Sequence, residues 1–253
     1  MDAQKGSLPF RDEFDAGCFH WALQYEYTPA EYRRRALRYR WNYKFLLNLD
    51  KSARILEIGC GGGFFLHFLK AHGFFDCTGV DLDPAAVRAC RANVTRQVFC
   101  EDPIQFLERS PAPFDLIVSN HVIEHLPRLE VLRLLHRVRH ALAPGGQVCV
   151  TTPNAMSPWA SFHLYNDPTH CHLYTPATLE ELLLEAGYTE IELSGEGPAP
   201  YDSLTAARFA LWKVRRAWLG LTFAIDVGVG RHRRVKRIFE QGIIGRAKGG
   251  RVG

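Results

Sequence analysis

The sequence predicts an α/β fold in which a mostly parallel sheet is covered by helices on both faces. Two observations lead to this prediction. Short apolar runs rich in β-forming residues recur along the chain, and stretches with helical spacing of apolar residues separate them. Strands that alternate with helices are joined by right-handed crossovers, which place the strands side by side in the same direction.

The first predicted element is a helix that begins at Thr28. The Thr28 hydroxyl can accept a hydrogen bond from an exposed backbone amide, Pro29 suits the first turn, and Glu31 completes a capping box. The residues before it show no clear periodicity, so we expect 1–27 to be a loosely ordered N-terminal segment. An aromatic face follows at helical spacing: Tyr32, Ala36, Tyr39, Tyr43 and Leu46.

Six strands can be placed from residue 52 onward, with start and stop signals for the helices between them. Asp83 and Pro84 are typical of a helix start, because the carboxylate can cap the first amides. A later helix begins at Thr175 and ends at Gly187. The predicted strands are 54–58, 78–80, 98–99, 116–118, 147–150 and 189–193.

The composition is that of a folded globular protein. Of the 253 residues, 47% are hydrophobic and 23% are charged, which argues against disorder. We find no run of about 18 apolar residues and no signal-peptide pattern, so we expect a cytoplasmic protein. The seven cysteines form no Cys-x-x-Cys pair, and several lie in strand-like runs, which favours buried reduced thiols.

The positive charge is concentrated at the C-terminal end. From Tyr201 onward there are 12 basic and 3 acidic side chains, whereas residues 1–200 carry 19 and 24. We therefore expect a basic amphipathic helical extension over 201–253. A solvated helix face is its plainest interpretation, and peripheral contact with anionic lipid at the inner membrane face is the functional one. Nucleic-acid binding has less support, because no stacking aromatics are interleaved with the basic residues.

A glycine-rich turn after the first strand is the strongest candidate for a ligand site. Gly59, Gly61 and Gly63 allow positive φ angles and close approach of a ligand, and the helix that follows presents unpaired amides. Phe64 occupies the last position of the dinucleotide-binding pattern Gly-x-Gly-x-x-Gly. A small residue is needed at that position, so the sequence argues against NAD or FAD. A tight turn without a ligand is the alternative.

Two acids farther along strengthen the prediction of a ligand site. Asp81 ends the second strand, where a carboxylate can accept hydrogen bonds from both ribose hydroxyls of an adenosine. Asp102 lies just beyond the third strand, where its side chain could accept from an adenine amino group. Either acid alone could be a helix cap or a solvated loop carboxylate, but their joint spacing favours the ligand site.

Five stretches occur in the order and spacing of one enzyme family. They are ILEIGCGGGFF, GVDLDPAAV, CEDPIQFL, FDLIVSNHVIEHL and LAPGGQVCVTTPN. Through them, the chain from about residue 50 to about residue 195 resembles the class I S-adenosylmethionine-dependent methyltransferases. The resemblance implies a Rossmann-like three-layer αβα fold, a seven-stranded sheet with an antiparallel last strand, and S-adenosyl-L-methionine as the cofactor. It makes 28–200 the methyltransferase domain, with the N-terminal helix as a cap.

The same resemblance assigns roles within the cofactor site. It places the methionine end against the glycine turn, the ribose on Asp81, and the adenine beside Leu82 and Asp102. The resemblance also implies that Glu57 orients the glycine-rich turn. The predicted cofactor-binding residues are Glu57, Gly59, Cys60, Gly61, Gly63, Phe64, Asp81, Leu82, Asp102, Ser119, Asn120 and His121.

Histidines near the ends of the fourth and fifth strands are candidates for a general base. A base speeds methylation of a hydroxyl by about 10²–10⁴-fold. His121 and His125 follow the fourth strand, whose carboxyl end faces the ligand crevice, although either could be a structural, hydrogen-bonded side chain. His170 is the preferred base, with Asp167 orienting it or stabilising its charged form.

The segment 151–188 resembles a branch that includes ubiquinone-biosynthesis O-methyltransferases and bacterial methyltransferases of surface-sugar and natural-product gene clusters. The Asn/Asp-Pro-Pro-Tyr/Phe turn common in N-methylation of nucleobases is absent, since 119–122 reads Ser-Asn-His-Val. We therefore expect O-methylation of a small-molecule, glycan or glycolipid hydroxyl. The alternatives are a lipid or carbon methyltransferase, and a non-catalytic protein that binds S-adenosylmethionine.

This segment also contains residue types that bind metals and an aromatic group. His170, Cys171 and His172 lie too close together for the usual zinc spacings, so we expect no metal there, even with His163 nearby. The aromatic residues could be lid packing or a wall around the sulfonium: Trp159, Phe162, Tyr165 and Tyr174.

Overall fold

Seven strands form one sheet in the order β3-β2-β1-β4-β5-β7-β6. The computed structural model describes residues 26–110, 112–228 and 236–249. The strands are β1 (Ile55–Ile58), β2 (Cys77–Asp81), β3 (Val98–Cys100), β4 (Phe114–Asn120), β5 (Leu142–Pro153), β6 (Tyr188–Glu196) and β7 (Gly242–Gly249). The first five pair in parallel, whereas β7 is antiparallel to both β5 and β6. The predicted fold class, with its antiparallel last strand, is confirmed.

Helices cover both faces of this sheet. They are α1 (Pro29–Asn42), α2 (Phe64–Ala71), α3 (Pro84–Asn93), α4 (Pro103–Arg109), α5 (Arg128–Ala141), α6 (Ala160–Asn166), α7 (Pro176–Glu185) and α8 (Ser203–Asp226). One buried cluster joins the sheet to side chains of α2 and α3, and a second joins it to α4, α5 and α7. These two cores make the three layers of the fold.

The predicted helix starts agree with the structure. Thr28 caps α1, since its hydroxyl accepts from the amide of Glu31 at 3.3 Å, and Asp83 caps α3 through the amide of Ala85 at 2.7 Å. The Glu31 carboxylate pairs with arginines of its own helix and does not close the expected capping box. Most of the predicted segment 1–27 lies outside the described residues.

The C-terminal region differs from the predicted helical extension over 201–253. Residues 203–226 do form a helix, α8, but β7 comes later and enters the sheet between β5 and β6. Ile243 and Ile244 of β7 are buried in the two opposite cores. The sheet therefore extends well past the domain boundary predicted at residue 200. The sequence offered little signal for β7, because a strand with three glycines and two basic residues does not resemble a buried one.

Helix α8 has no buried residue and exposes an apolar stripe. Its side chains at 204, 211, 214, 218, 221 and 225 are all apolar and at least half exposed. Phe209 and Phe223, from the opposite face, contact Trp41 and Phe239. None of the helices in the described ranges combines the length and apolar character needed to cross a bilayer.

Candidate active site

The glycine turn after β1 is packed by protein on two sides and open at Gly61. Gly59, Gly61 and Gly63 all have positive φ angles, of 69°, 51° and 82°. A Cβ at Gly59 would lie 2.3 Å from Val122, and one at Gly63 would lie 2.5 Å from the Cys90 sulfur. At Gly61 such an atom would meet nothing within 4 Å. Gly61 is therefore where this turn can face a ligand.

Asp81 is positioned at the carboxyl end of β2, beside the glycine turn. Its Oδ2 accepts from the amide of Gly61 at 2.7 Å, and its Oδ1 accepts from the amide of Asp83 at 2.8 Å. A carboxylate oxygen has room for a second donor, so both oxygens can still receive ligand hydroxyls. Burial raises the pKa of Asp81 above its usual value, despite these donors. Leu82, next in the chain, leaves 46% of its surface exposed as an apolar wall.

Asp102 has a structural role as the cap of α4, which was the alternative to a ligand contact. Its Oδ1 accepts from the amides of Ile104 and Gln105 at 2.8 and 3.1 Å and so caps α4. These bonds fix the carboxylate at the carboxyl end of β3, on the same edge of the sheet as Asp81. Its contact with adenine stays a prediction.

Two buried polar atoms at the ends of β1 and β4 make no hydrogen bond within the described residues. They are Oε2 of Glu57 and the hydroxyl oxygen of Ser119. Glu57 accepts through its other oxygen from Asn120 Nδ2 at 3.3 Å, and burial raises its pKa well above the usual range. Because buried polar atoms are normally paired, these atoms fit a polar ligand at this edge. The residues present thus fit the amino acid portion of S-adenosylmethionine.

Helix α1 and Tyr43, the residue that follows it, support the candidate cofactor site through hydrogen bonds from two tyrosine hydroxyls. The Tyr32 hydroxyl donates to the carbonyl of Gly62 at 2.6 Å, and its ring lies 4.8 Å from that of Phe64. The Tyr43 hydroxyl contacts Asn120 Oδ1 and Thr151 Oγ1, each at 2.6 Å. The aromatic periodicity of the helix was visible in sequence, but its partners are distant in the chain.

Cys60 faces the sheet and not the crevice. A Cβ placed on Gly79 of β2 would lie 2.7 Å from the Cys60 sulfur, so the thiol packs against that strand. The backbone of Cys60 remains part of the turn, since its amide donates to Val80 and its carbonyl accepts from Gly63. Any contribution of Cys60 to ligand binding therefore comes from its main chain.

His121 is held between two buried carboxylates. Its Nδ1 lies 3.2 Å from Oε1 of Glu124, and its Nε2 lies 3.4 Å from Oε2 of Glu196. Burial alone would lower its pKa, but the two carboxylates outweigh burial and raise the pKa to about 10. The residue also has a φ of 54°, which is rare for a side chain with a Cβ. A charged imidazole has no lone pair for a proton, so His121 fits a positioning role better than that of a base.

His125 is oriented by a chain of two hydrogen bonds. The Thr169 hydroxyl donates to Oδ1 of Asp167 at 2.6 Å, which leaves the Thr169 oxygen to accept from His125 Nδ1 at 2.8 Å. With Nδ1 carrying the hydrogen, Nε2 of His125 has a lone pair. Burial lowers the pKa of His125 and keeps it neutral.

His170 lies beside His125, with 4.7 Å between the ring centroids. Its Nδ1 is 2.7 Å from the carbonyl oxygen of His163, an atom that can only accept. The hydrogen is therefore on Nδ1, and Nε2 is free to act as a base or a ligand. Asp167 Oδ2 is 3.7 Å from Nε2, too far for a hydrogen bond. The prediction that Asp167 orients His170 is wrong, because Asp167 bonds to Thr169 and the His163 carbonyl orients His170. The distance of 3.7 Å still fits the other predicted role of Asp167, which is to stabilise the charged form of His170.

The aromatic side chains of the segment between β5 and α7 do not form a closed wall. Trp159, Phe162 and Tyr165 are 49%, 58% and 81% exposed on or next to α6. Tyr174 alone of the four is buried. Arg215 of α8 lies over the Trp159 ring at 5.5 Å, so this exposed aromatic surface adjoins α8.

Comparisons with known proteins agree with this geometry. Residues 30–193 match the model of a family described as a methyltransferase domain. The ubiquinone biosynthesis O-methyltransferase of Xylella fastidiosa is 33% identical over 108 residues, which are 41% of this chain and 43% of that protein. The chain thus spans less than half the length of this curated relative.

Two solved structures share the fold. A SAM dependent methyltransferase from Archaeoglobus fulgidus has a TM-score of 0.62 at 23% identity, over 86% of this chain and 94% of that one. Phosphoethanolamine N-methyltransferase 2 of Haemonchus contortus, solved with S-adenosyl-L-methionine, has a TM-score of 0.56 at 20% identity, over 98% and 61%. Since the family model covers well over half of the residues, the chain belongs to the methyltransferase domain family.

Proposed function

We propose that this protein transfers a methyl group from S-adenosyl-L-methionine to a hydroxyl oxygen. The acceptor is a small molecule, a glycan or a glycolipid. The observation that carries the proposal is the pair of adjacent histidines after β4, His125 and His170, whose Nδ1 atoms are bonded to the Thr169 hydroxyl and the His163 carbonyl, so that each ring presents Nε2. A histidine base suits a hydroxyl acceptor, which has a proton to lose as it attacks.

The cofactor is held by residues with separate tasks. Gly61 gives the ligand access to the turn, Asp81 receives the ribose hydroxyls, and Leu82 supplies an apolar surface for the adenine. Glu57 and Ser119 offer their unpaired oxygens to the amino acid end. S-Adenosylmethionine supplies a methyl group on a sulfonium, which is already a good leaving group, so much of the remaining acceleration can come from positioning the acceptor.

Two histidines after β4 are proposed to contact the methyl acceptor, each in a different role. Charged His121, fixed by Glu124 and Glu196, supplies a positive group that can orient an acceptor oxygen or carboxylate. His170 takes the hydroxyl proton at Nε2 while its Nδ1 stays bonded to the His163 carbonyl. The match to ubiquinone biosynthesis O-methyltransferases is compatible with an oxygen acceptor.

Release of S-adenosylhomocysteine with a panel of catechols, quinols, sugars and glycolipids tests the proposal. We expect turnover with at least one hydroxyl acceptor, and loss of about 10²–10⁴-fold in kcat for His170→Gln with unchanged cofactor affinity. His172→Gln, an exposed histidine two residues away, is the matched control. Turnover only with amine or carbon acceptors, or full activity of His170→Gln, would contradict the proposal.

A further inference from the structure

We propose that Glu124, His125 and His170 form a binding site for a divalent transition-metal ion, with zinc as the best match. One potential ligand atom from each of the three side chains lies within 4.8 Å of the other two. Two of these residues are adjacent in the chain, and the third comes 45 positions later, between α6 and α7. The spacing rules that predicted no metal compare neighbours in sequence, so they could not detect this group.

The Glu124 carboxylate is the first argument for an ion. The residue is completely buried, and its Oε2 makes no hydrogen bond within the described residues. Its Oε1 is already committed to charged His121 at 3.2 Å. A buried carboxylate oxygen without a partner is costly, and a cation beside it removes that cost.

The orientation of the two imidazoles is the second argument. A histidine that binds a metal through one nitrogen almost always donates its other N–H to a carbonyl, carboxylate or water, which fixes the ring and its tautomer. Both rings have such a partner at Nδ1: the Thr169 hydroxyl, itself bonded to Asp167, and the His163 carbonyl. Both therefore offer Nε2 as the ligand atom.

The donor set and its dimensions fit zinc. Two imidazoles and one carboxylate leave a fourth tetrahedral position open, which is the arrangement of catalytic zinc sites. With metal–ligand distances of about 2.1 Å, tetrahedral ligand atoms lie roughly 3.4 Å apart. Because the three ligand atoms lie within 4.8 Å of one another, each pair would approach by about 1.4 Å at most on binding the ion. The same donors also suit cobalt and iron(II).

The catalytic consequence rests on the proposed function, whereas metal binding does not. An acceptor hydroxyl at the open position would lose its proton to solvent more readily, because a bound cation lowers the pKa of the hydroxyl. The oxygen would form the new O–CH3 bond, and the electrons of the broken S–CH3 bond would stay on sulfur to give S-adenosylhomocysteine. The two roles of His170 are alternatives: in the metal-free protein its Nε2 is the base, and with the metal bound Nε2 is a ligand and the metal would activate the hydroxyl instead.

The test measures metal binding directly. Untagged protein is stripped with a chelator, dialysed, and titrated with zinc chloride by calorimetry and with cobalt chloride by visible absorption. We expect one ion per chain and the absorption of tetrahedral cobalt for the wild type and for His172→Gln. Glu124→Gln, His125→Gln and His170→Gln should each lose stoichiometric binding.

Thr169→Val provides a finer check, because it removes the partner of His125 Nδ1 but no ligand. We expect zinc affinity about 10- to 100-fold weaker, with stoichiometry retained. Thermal unfolding and S-adenosylhomocysteine binding of the metal-free variants show whether each one folds.

The proposal is overturned if folded wild type takes up no stoichiometric zinc or cobalt. It is equally overturned if folded Glu124→Gln and His170→Gln bind as tightly as His172→Gln. Failure of every acceptor to support turnover would instead count against the proposed function, since metal uptake needs no acceptor.

Discussion

His121 Nε2 lies 3.4 Å from Oε2 of Glu196, which joins the end of β4 to the end of β6. Arg38 of α1 contacts the other oxygen of Glu196 at 2.8 Å. Burial alone would raise the pKa of Glu196, but His121 and Arg38 outweigh it and lower the pKa to about 2. The crevice therefore keeps a charged histidine next to a charged carboxylate at neutral pH.

The first prediction concerns the pH dependence of this pair. The pKa of His121 is raised from 6.5 to about 10, so the stability it contributes is complete below pH 6.5 and is lost as the pH rises through about 10. Glu196→Gln should lower the pKa of His121. It should also lower the free energy of unfolding by about 1–2 kcal/mol, which is less than for a fully buried pair because about half of the imidazole is exposed. NMR titration of the imidazole checks this, with His121→Gln to assign the signal. An unchanged His121 pKa in Glu196→Gln would count against the pair.

A second prediction addresses the ribose site. Asp81→Ala should weaken S-adenosylhomocysteine binding about 10- to 100-fold, because it removes a charged acceptor of the ligand hydroxyls. Calorimetry measures the effect. Asp76→Ala is the matched control, since this exposed acid precedes the other end of β2. Equal affinity of both variants would contradict the assignment.

Gly61→Ala separates ligand access from backbone strain. The φ angle of 51° at Gly61 means that alanine there should lower the free energy of unfolding by about 1–2 kcal/mol, and the added methyl group would point into open space. Gly73→Ala is matched in strain, with a φ of 86° and its nearest neighbour at 3.8 Å, but lies away from the turn. We expect similar losses of stability and weaker S-adenosylhomocysteine binding only for Gly61→Ala. If both variants bind the ligand like the wild type, Gly61 does not face it.

The pairing of β7 with β5 can be tested by a substitution in the core. Ile244 of β7 is 1% exposed, so Ile244→Ala should cost about 2–5 kcal/mol in urea unfolding. Phe75→Ala, at a position 71% exposed, should change stability by no more than about 0.5 kcal/mol. A loss below 1 kcal/mol for Ile244→Ala, by this reasoning, would mean that β7 is not an integral strand.

Peripheral membrane contact stays a prediction from the sequence, and α8 specifies how to test it. Its exposed apolar stripe lies beside Arg208 and Arg215, a pattern that suits anionic lipid. We expect co-sedimentation with phosphatidylglycerol vesicles, weaker binding to phosphatidylcholine, and loss of binding in Leu211→Ser/Trp218→Ser. Leu129→Ser, which is 69% exposed on α5, is the control. Binding to RNA in a gel shift, or to neither partner, would contradict the membrane interpretation.

Local signals in the sequence located most of the fold and the contact between the glycine turn and Asp81. The caps at Thr28 and Asp83 depend on atoms a few residues apart, so their residue types alone reveal them. Gly61 and Asp81 are 20 residues apart but occupy fixed places in a strand-turn-helix unit. These parts could be predicted because short-range geometry determines them.

The protonation and orientation of the histidines after β4 could not be predicted from local sequence signals. The charge of His121 depends on Glu196, which is 75 residues away, and the tautomer of His125 depends on Thr169. Strand β7 likewise depends on its two neighbouring strands for burial, and its own sequence is rich in glycine. Such long-range partners decide protonation and orientation, and residue type alone does not reveal them.

The insertion of β7 between β5 and β6 has a consequence for synthesis. During translation, β6 leaves the ribosome before its only sheet neighbour in the described structure exists, because β7 follows some 45 residues later. Until then β5 and β6 both present unpaired backbone edges, which are templates for aggregation. A nascent chain would therefore complete its sheet late, and chaperones that shield open strand edges should matter more for its yield than for folds closed by an early hairpin.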